Sequence, residues 1–175
     1  MLNNPNGFQT NVWGSATWLF LHCVSLNYNP KTQKKDYIRF FKALAGVLPC
    51  GSCRKNYQNT IQRHDKLRLT ARVFESRESF AYWLFKLHNY VTKCQIKSKP
   101  LYTNSKTDFK KMIAFYDNFR AKCPKIKTRK NQIHSKHGCT HALKGGIRLR
   151  SVISIKPLCS SRSKSSIVLR KKQSR

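Results

Sequence analysis

Hydrophobic residues recur every three or four positions over most of the first 123 residues, with polar and charged residues between them. This spacing is typical of amphipathic helices, because residues three and four apart share one helical face. Five helices account for the pattern and no strand is needed, so the sequence predicts an all-α fold. The helices are predicted over 15–27, 32–48, about 52–64, 76–91 and 107–122.

Helix-breaking and capping residues separate these segments. Pro30 follows the first helix, Pro49 ends the second, and Pro100 lies in a predicted loop. Ser76 is the predicted N-cap of the fourth helix, with Glu78 favourably placed in its first turn. The apolar stripes predict the faces that form a single core: Trp18, Leu21, His22 and Ser25; Tyr37, Phe40, Phe41, Leu44 and Val47; Phe80, Trp83, Leu84, Leu87 and Val91; Phe109, Met112, Ile113, Tyr116 and Phe119.

Composition divides the chain into two parts. The sequence carries 36 Lys and Arg against 6 Asp and Glu, a formal net charge of +30, and no acidic residue follows Asp117. Residues 124–175 are rich in basic and small polar residues with little patterned apolar content, which cannot offset the entropy of ordering them. We therefore predict a folded domain over 1–123 and a mostly disordered basic tail over 124–175. This charge favours polyanionic partners without choosing among them.

Neither a membrane span nor a secretory leader is predicted. Charges interrupt every apolar stretch before it reaches the roughly 18 to 20 residues that a spanning helix requires. Residues 1–30 lack a basic start followed by an apolar run and a small-residue cleavage site. We expect a soluble protein.

The Cys50-Gly51-Ser52-Cys53 segment precedes the third predicted helix. A helix N-terminus stabilises a thiolate, and the neighbouring Arg54 and Lys55 act in the same direction. Two cysteines one turn apart can also close on each other, which gives a reversible two-electron couple. The alternatives are a zinc half-site and a chance pair. A thioredoxin-like domain is disfavoured because helices, not a strand, flank the pair. Further zinc ligands would have to come from scattered residues that form no second cluster: His64, His88, Cys94 and Cys123.

Three separated segments together resemble the Erv/ALR family of FAD-linked sulfhydryl oxidases. They are Trp13-Gly14-x-x-x-Trp18-x-x-x-His22, Leu48-Pro49-Cys50-x-x-Cys53 and His88-Asn89-x-Val91. The resemblance covers about residues 10–120 and is nearest in character to the compact, mimivirus-like members of large DNA viruses. It implies a four-helix bundle with a short fifth helix, which agrees with the helices predicted from periodicity.

The resemblance also implies site residues. Cys50 and Cys53 would be catalytic, and Lys99, beside Pro100, would approach the cofactor pyrophosphate. The sequence departs from the family at Ser15, where many members have Arg, and at Thr92, where Asn is usual. Tyr116 is chosen by register, with Phe119 as the second candidate for the same position. The residues implied to bind FAD are Thr10, Trp13, Gly14, Trp18, His22, His88, Asn89, Val91, Thr92, Lys99 and Tyr116.

The implied activity is a thiol oxidase that forms disulfide bonds in substrate proteins. Cys50 would form a mixed disulfide with the incoming thiol, and Cys53 would pass electrons to FAD, with oxygen as acceptor and hydrogen peroxide as product. The resemblance further implies a homodimer, acting in the host cytoplasm during virus assembly and packaged in the virion. Three cysteines in or beside the tail are candidates for a shuttle thiol: Cys123, Cys139 and Cys159. Cys23 and Cys94 are expected to be buried or structural.

Two functions of other classes stay open from the residues alone. The basic tail favours nucleic-acid binding through phosphate neutralisation, although it lacks the aromatic platform of sequence-specific recognition. A zinc-binding module is the other alternative, because four candidate ligands crowd one short stretch, at a spacing too tight for common zinc patterns. These ligands are His134, His137, Cys139 and His141.

Overall fold

A computed structural model describes residues 7–95, 105–121, 143, 146, 149–151 and 169–171. Within these residues the chain forms five α-helices, one 3-10 helix over Ala71–Phe74 and a pair of three-residue strands. Each predicted helix is present within five residues of its expected bounds, which confirms the all-α class. The elements are α1 Thr10–Leu26, α2 Lys34–Val47, α3 Gly51–Arg63, α4 Arg77–Gln95, α5 Lys106–Asp117, β1 Leu149–Ser151 and β2 Leu169–Lys171.

The chain divides into two compact units, residues 1–109 and 110–175. In the second unit, β1 pairs antiparallel with β2, with Arg150 opposite Arg170. The hydrophobic pattern did not predict these strands, because three residues are too few to show an alternation. None of the helices that the structure describes has the length and apolar character needed to cross a bilayer.

Local interactions explain where α2 ends and α4 begins. Leu48, the residue before Pro49, has an extended backbone with φ −55° and ψ 134°, as the proline ring requires. Ser76 is the N-cap of α4, as predicted: its hydroxyl accepts the Ser79 N–H at 3.0 Å. The Ser79 hydroxyl accepts the Ser76 N–H in return, also at 3.0 Å, so the two serines form a reciprocal cap.

Interlocking aromatic rings fill the core of the first unit. Phe80 lies at the centre and is fully buried. Its ring meets Phe41 edge-on at 4.9 Å, meets Tyr28 edge-on at 5.2 Å and stacks on Phe74 at 4.9 Å. These are the preferred geometries of aromatic pairs. The core therefore joins α2, the α1–α2 loop, the 3-10 helix and α4.

Buried polar groups of this core are hydrogen-bonded to backbone carbonyls. The Tyr28 hydroxyl donates to Phe74 O at 2.8 Å, and the Trp83 indole donates to Leu67 O at 2.9 Å. Such bonds satisfy carbonyls that lie outside the helical ladders. They fix the loop before α4, and α4 in turn packs on α1.

The predicted buried stripe of α2 is wrong at two positions. Phe41 and Leu44 are buried as expected, but the Phe40 side chain is 37% exposed and the Val47 side chain is 68% exposed. The apolar surface of α2 is wider than the core can cover. Its excess forms part of an outer apolar face.

Candidate active site

The Cys50–Cys53 pair lies where the chain passes from α2 into α3. The two residues form a disulfide with their Cα atoms 5.1 Å apart. Cys50 is the N-cap of α3, with extended φ −147° and ψ 123°, and its Sγ accepts the Cys53 N–H at 3.2 Å. The prediction that the pair lies at a helix N-terminus is confirmed.

This position gives the Cys50 sulfur a distinct chemistry. The unpaired N–H groups of the first helical turn, and the positive end of the helix dipole, stabilise negative charge on an N-cap atom. The Ser52 hydroxyl lies 3.2 Å from the Cys50 sulfur and is within hydrogen-bond distance. A Cys50 thiolate would therefore be stabilised after the disulfide opens.

Arg54 binds the loop that leads into the disulfide. Its Nη1 donates to Leu48 O at 2.7 Å, and its backbone N–H donates to Cys50 O at 3.0 Å. Sequence reasoning assigned Arg54 only a positive charge near the sulfurs. The structure shows that it also holds the end of α2 against the start of α3.

A zinc site at this pair is not supported. The two sulfurs are bonded to each other and so are not thiolate ligands in this state. No group of three or more potential metal ligands occurs among the residues that the structure describes. Of the scattered candidates, His64 packs edge-on against Tyr90 at 4.8 Å. The tighter cluster of His134, His137, Cys139 and His141 lies outside the described residues.

A second group of side chains, the α1–α4 cluster, joins α1 to α4 and consists of the rings of Trp18, His22 and His88. The Trp18 and His88 rings stack with centroids 4.2 Å apart and planes 11° apart. His22 Nε2 lies 3.0 Å from His88 Nδ1, so that one ring donates and the other accepts. The structure thus brings together three residues that the resemblance assigned to the cofactor.

Both histidines of this cluster are held neutral. Burial, with a smaller contribution from His88, lowers the pKa of His22 to about 3. Burial lowers the pKa of His88 to about 4. A neutral pair can share one hydrogen bond, whereas two imidazolium rings would both be donors and would repel each other.

Because both histidines are neutral in the folded state, we expect the free energy of unfolding to decrease at acid pH. Below the ordinary pKa of 6.5 the unfolded chain binds protons that the folded rings do not. The free energy of unfolding should therefore decrease from pH 6.5 downward, by about 1.4 kcal/mol per pH unit for each histidine until its folded pKa is reached. Urea unfolding at several pH values measures this slope. His88→Gln should reduce the slope, and an unchanged slope would contradict the assignment.

The other predicted cofactor residues flank this cluster on the same two helices. Gly14 precedes Trp18 by one turn, and a Cβ built on it meets no atom within 4 Å, so the helix surface there is open. Trp13 is half-buried and Thr10, the first residue of α1, is exposed. On α4, the residues that follow His88 are buried or half-buried: Asn89, Val91 and Thr92.

Two predicted cofactor residues stay predictions. Lys99 lies outside the described residues. Tyr116 is half-buried on α5 and belongs to the second unit. Three predictions also fall largely outside the described residues: the role of Cys123, Cys139 and Cys159, the disorder of 124–175, and its contact with polyanions.

Two residues that sequence reasoning missed, Gly7 and Phe8, lie against Pro49, beside the disulfide. The Phe8 N–H donates to Pro49 O at 2.7 Å, and the Trp13 indole donates to Phe8 O at 3.2 Å. Gly7 lies so close that a Cβ on it would be 2.5 Å from Pro49 O. No local signal marks a contact between residues 8 and 49, because both partners are backbone groups.

The expectation that Cys23 and Cys94 are buried is wrong, and a structural role for them stays a prediction. Cys23 and Cys94 are both exposed. Cys23 follows the exposed Phe20 by three positions and so lies on the outer face of α1. Cys94 is in the last turn of α4, beyond the buried stripe of that helix.

The sequence is similar to a known protein family and to several of its members. The Erv1 / Alr family model matches residues 15–114. Over 82 residues the chain is 40% identical to the probable FAD-linked sulfhydryl oxidase R368 of Acanthamoeba polyphaga mimivirus, covering 45% of this chain and 55% of that protein. The viral likeness inferred from the motifs is confirmed.

Two cellular proteins are also similar. The FAD-linked sulfhydryl oxidase ERV1 of Arabidopsis thaliana is 32% identical over 83 residues, 46% of this chain and 40% of that protein. The mitochondrial FAD-linked sulfhydryl oxidase erv1 of Schizosaccharomyces pombe is 32% identical over 97 residues, 49% of this chain and 51% of that protein. The chain spans about half the length of these relatives. Because the family model matches more than half of its residues, the chain belongs to the Erv1/Alr family.

Proposed function

We propose that this protein is an FAD-linked sulfhydryl oxidase that forms disulfide bonds in substrate proteins. The observation that carries the proposal is the Cys50–Cys53 disulfide at the N-terminus of α3, tied through Phe8 and Trp13 to the helix that presents Trp18 and His22. The three similar proteins are named as FAD-linked sulfhydryl oxidases, which supports the same activity here.

The α1–α4 cluster suits a flavin nucleotide. The stacked Trp18 and His88 rings offer aromatic surface, and the neutral histidines offer hydrogen-bonding nitrogens without a charge to desolvate. The open helix surface at Gly14 leaves room for a ligand to approach the backbone. The net charge of +30 also favours a pyrophosphate. When bound, FAD accepts two electrons and passes them to oxygen, which yields hydrogen peroxide.

The residues of the chain carry the thiol chemistry. A substrate thiolate attacks the Cys50 sulfur, a substrate–Cys50 bond forms, and the Cys50–Cys53 bond breaks with its electron pair on Cys53. A second substrate thiolate then attacks the mixed disulfide and releases Cys50 as a thiolate. The substrate leaves oxidised by two electrons, and the Cys50–Cys53 pair is reduced by two.

The N-cap position supports this division of roles between the cysteines. The second exchange is faster when the leaving thiolate is stabilised, and the N-terminus of α3 stabilises negative charge at Cys50. Cys53, within the first turn of the helix, is then the residue that would pass the substrate's electron pair on to the cofactor. Its backbone N–H already donates to the Cys50 sulfur.

The proposal is tested on the purified full chain. We expect a flavin absorption spectrum and oxygen consumption that depends on dithiothreitol, with oxygen returned on addition of catalase because the product is peroxide. A colourless protein that binds no added FAD and consumes no oxygen would refute the proposal. In that case strongly salt-dependent polynucleotide binding or bound zinc would support one of the two alternative classes.

The site of action is also proposed. The mimivirus relative favours a viral protein, and a cytoplasm that keeps thiols reduced would need a dedicated oxidase for disulfides to form there. We propose action in the host cytoplasm at virus assembly, with packaging into the virion. Detection of the protein in purified virions tests the second part.

A homodimer is proposed through the outer surfaces of α1 and α2. Val12 and Phe20 on α1 are 72% and 55% exposed, and Phe40 and Val47 on α2 are also exposed. We call these four residues the α1–α2 apolar face. The Phe20 and Phe40 rings meet edge-on at 6.3 Å and connect the two helices. Apolar patches of this kind mark interaction surfaces, and a second copy of the same face is the partner that the resemblance implies.

Phe20→Glu should weaken this dimer. A charge placed at the centre of an apolar interface is expected to raise the dimer dissociation constant by about thirtyfold or more. Analytical ultracentrifugation of the variant and the wild type measures this change. Phe115→Glu is the matched control, since Phe115 is also exposed, at 48%, but lies on α5. Equal dissociation constants in all three proteins would contradict the proposed interface.

A further inference from the structure

The chain before α1 is bound directly to residues 48–50, the disulfide loop between α2 and α3. The Phe8 N–H donates to Pro49 O at 2.7 Å, a short bond to the carbonyl immediately before Cys50. The two residues are 41 positions apart, so no local turn accounts for the bond. The contact is a tertiary anchor on the disulfide loop.

Gly7 is the residue that permits this approach. A Cβ at position 7 would lie 2.5 Å from Pro49 O and 2.9 Å from Cys50 Cα, both closer than real Cβ contacts. The atoms in the way are backbone, not the flexible end of a side chain. Any larger residue must therefore push the two backbones apart.

The carbonyl of Phe8 connects the same segment to α1. It accepts the Trp13 indole N–H at 3.2 Å. Phe8 thus uses both of its backbone groups, one toward the disulfide loop and one toward the helix that carries Trp18 and His22. Its side chain takes no part, since it is 72% exposed.

The disulfide loop is otherwise held only by its own neighbours among the bonds described. Leu48 O accepts from the Arg54 side chain at 2.7 Å, and Cys50 O accepts from the Arg54 backbone at 3.0 Å. These bonds join the loop to α3, and the Leu48 N–H donates to Leu44 O in α2 at 3.2 Å. The Phe8–Pro49 bond joins the loop to the segment before α1.

We propose that Gly7 and Phe8 are positioning residues that hold the Cys50–Cys53 disulfide in register with α1. The inference rests on the proposed function, in which electrons pass from this disulfide to a cofactor held by α1 and α4. Electron transfer needs the two parts of the site at a fixed separation, and displacement by about 1 Å can cost up to about a hundredfold in rate. The first attack of a small thiol on the disulfide does not depend on the separation between the disulfide and α1.

The test uses two disrupting variants and two controls in the full chain. Gly7→Ala adds the clashing Cβ, and Phe8→Pro removes the N–H donor. Phe8→Ala keeps that donor and loses only an exposed side chain. Gly46→Ala is the matched glycine control, because a Cβ there meets nothing within 4 Å. Stopped-flow absorption at saturating dithiothreitol gives the limiting rate of flavin reduction, and glutathione with alkylation and mass spectrometry gives the rate of disulfide opening.

The two disrupting variants should reduce flavin about tenfold more slowly, on the scale of one lost hydrogen bond with a small displacement. Their FAD content should equal that of the wild type. Flavin reoxidation by oxygen and opening of the disulfide should be no slower than in the wild type. Both controls should match the wild type. Unchanged reduction in Gly7→Ala and Phe8→Pro, or an equal loss in Phe8→Ala, would overturn the proposal.

Failure of the proposed function would look different. The wild type itself would then show no flavin reduction by dithiols. The rate at which glutathione opens the disulfide would still test the anchor. Because loss of the Phe8–Pro49 bond frees the loop, glutathione should open the disulfide faster in the two disrupting variants only. Equal opening rates in all five proteins would overturn the anchor independently of any oxidase activity.

Discussion

A Cys53→Ser protein is expected to retain its FAD and to lose dithiol-dependent oxygen consumption by about a thousandfold or more, the scale of removing a residue that forms and breaks bonds in the reaction. Serine cannot close the disulfide with Cys50, so the pair can no longer carry two electrons. Flavin absorption and an oxygen electrode measure the two quantities on the same sample.

Two exposed cysteines provide the controls for this experiment. Cys23→Ser and Cys94→Ser remove thiols that are not part of the disulfide, and both should consume oxygen at the wild-type rate. Cys50→Ser should be as inactive as Cys53→Ser toward protein thiols. Retained activity in Cys53→Ser would remove that residue from the mechanism.

Loss of the Trp18 ring is expected to cost both cofactor affinity and stability. Trp18 stacks on His88 and packs against the core, so Trp18→Ala removes the ring contact between α1 and α4. FAD affinity should fall by about tenfold or more, since stacked aromatic contacts contribute up to about 1.5 kcal/mol beyond their buried area. The free energy of unfolding of the apoprotein should fall by about 2 kcal/mol, less than for a fully buried tryptophan.

Trp18→Phe separates the two effects of this substitution. Phenylalanine keeps an aromatic ring to stack on His88, so its FAD affinity should lie close to that of the wild type. Fluorescence titration of the apoproteins with FAD gives the affinities, and urea unfolding gives the stabilities. If Trp18→Ala binds FAD as tightly as the wild type, the α1–α4 cluster is not the cofactor site.

Much of the fold followed from the sequence because each signal was local. The three- and four-residue spacing on α4 places Phe80, Trp83 and Leu84 on one face, and all three are buried. The Ser76 cap and the break at Pro49 depend on residues within one turn. The Cys50–Cys53 pair could be assigned to a helix N-terminus because the predicted helix follows it directly in the sequence.

The α1–α4 cluster could not be predicted from hydrophobic periodicity alone. His22 and His88 are 66 positions apart, and each alone is indistinguishable from a core histidine. Only the combination of both with the cysteine motif suggested that they share a site. Their mutual hydrogen bond and lowered pKa values depend on burial, which no linear pattern reports.

The missed and mistaken features share a physical cause. The Phe8–Pro49 bond joins backbone groups, so side-chain identity carries no signal for it. The exposure of Phe40 and Cys23 depends on which helix faces have neighbours, and not on the hydrophobicity of the residues. An apolar stripe predicts a face to be covered, but it does not say whether the cover is the core or a second copy of the chain.

The most direct test of the central claim is an anaerobic spectrum of the purified wild-type protein during addition of dithiothreitol, beside the Cys53→Ser variant. The account predicts that the flavin absorption of the wild type bleaches as dithiol is added and returns on admission of oxygen, whereas the flavin of the variant stays oxidised. A wild-type flavin that stays oxidised in excess dithiol, or a variant that bleaches as readily as the wild type, would contradict electron transfer through the Cys50–Cys53 pair.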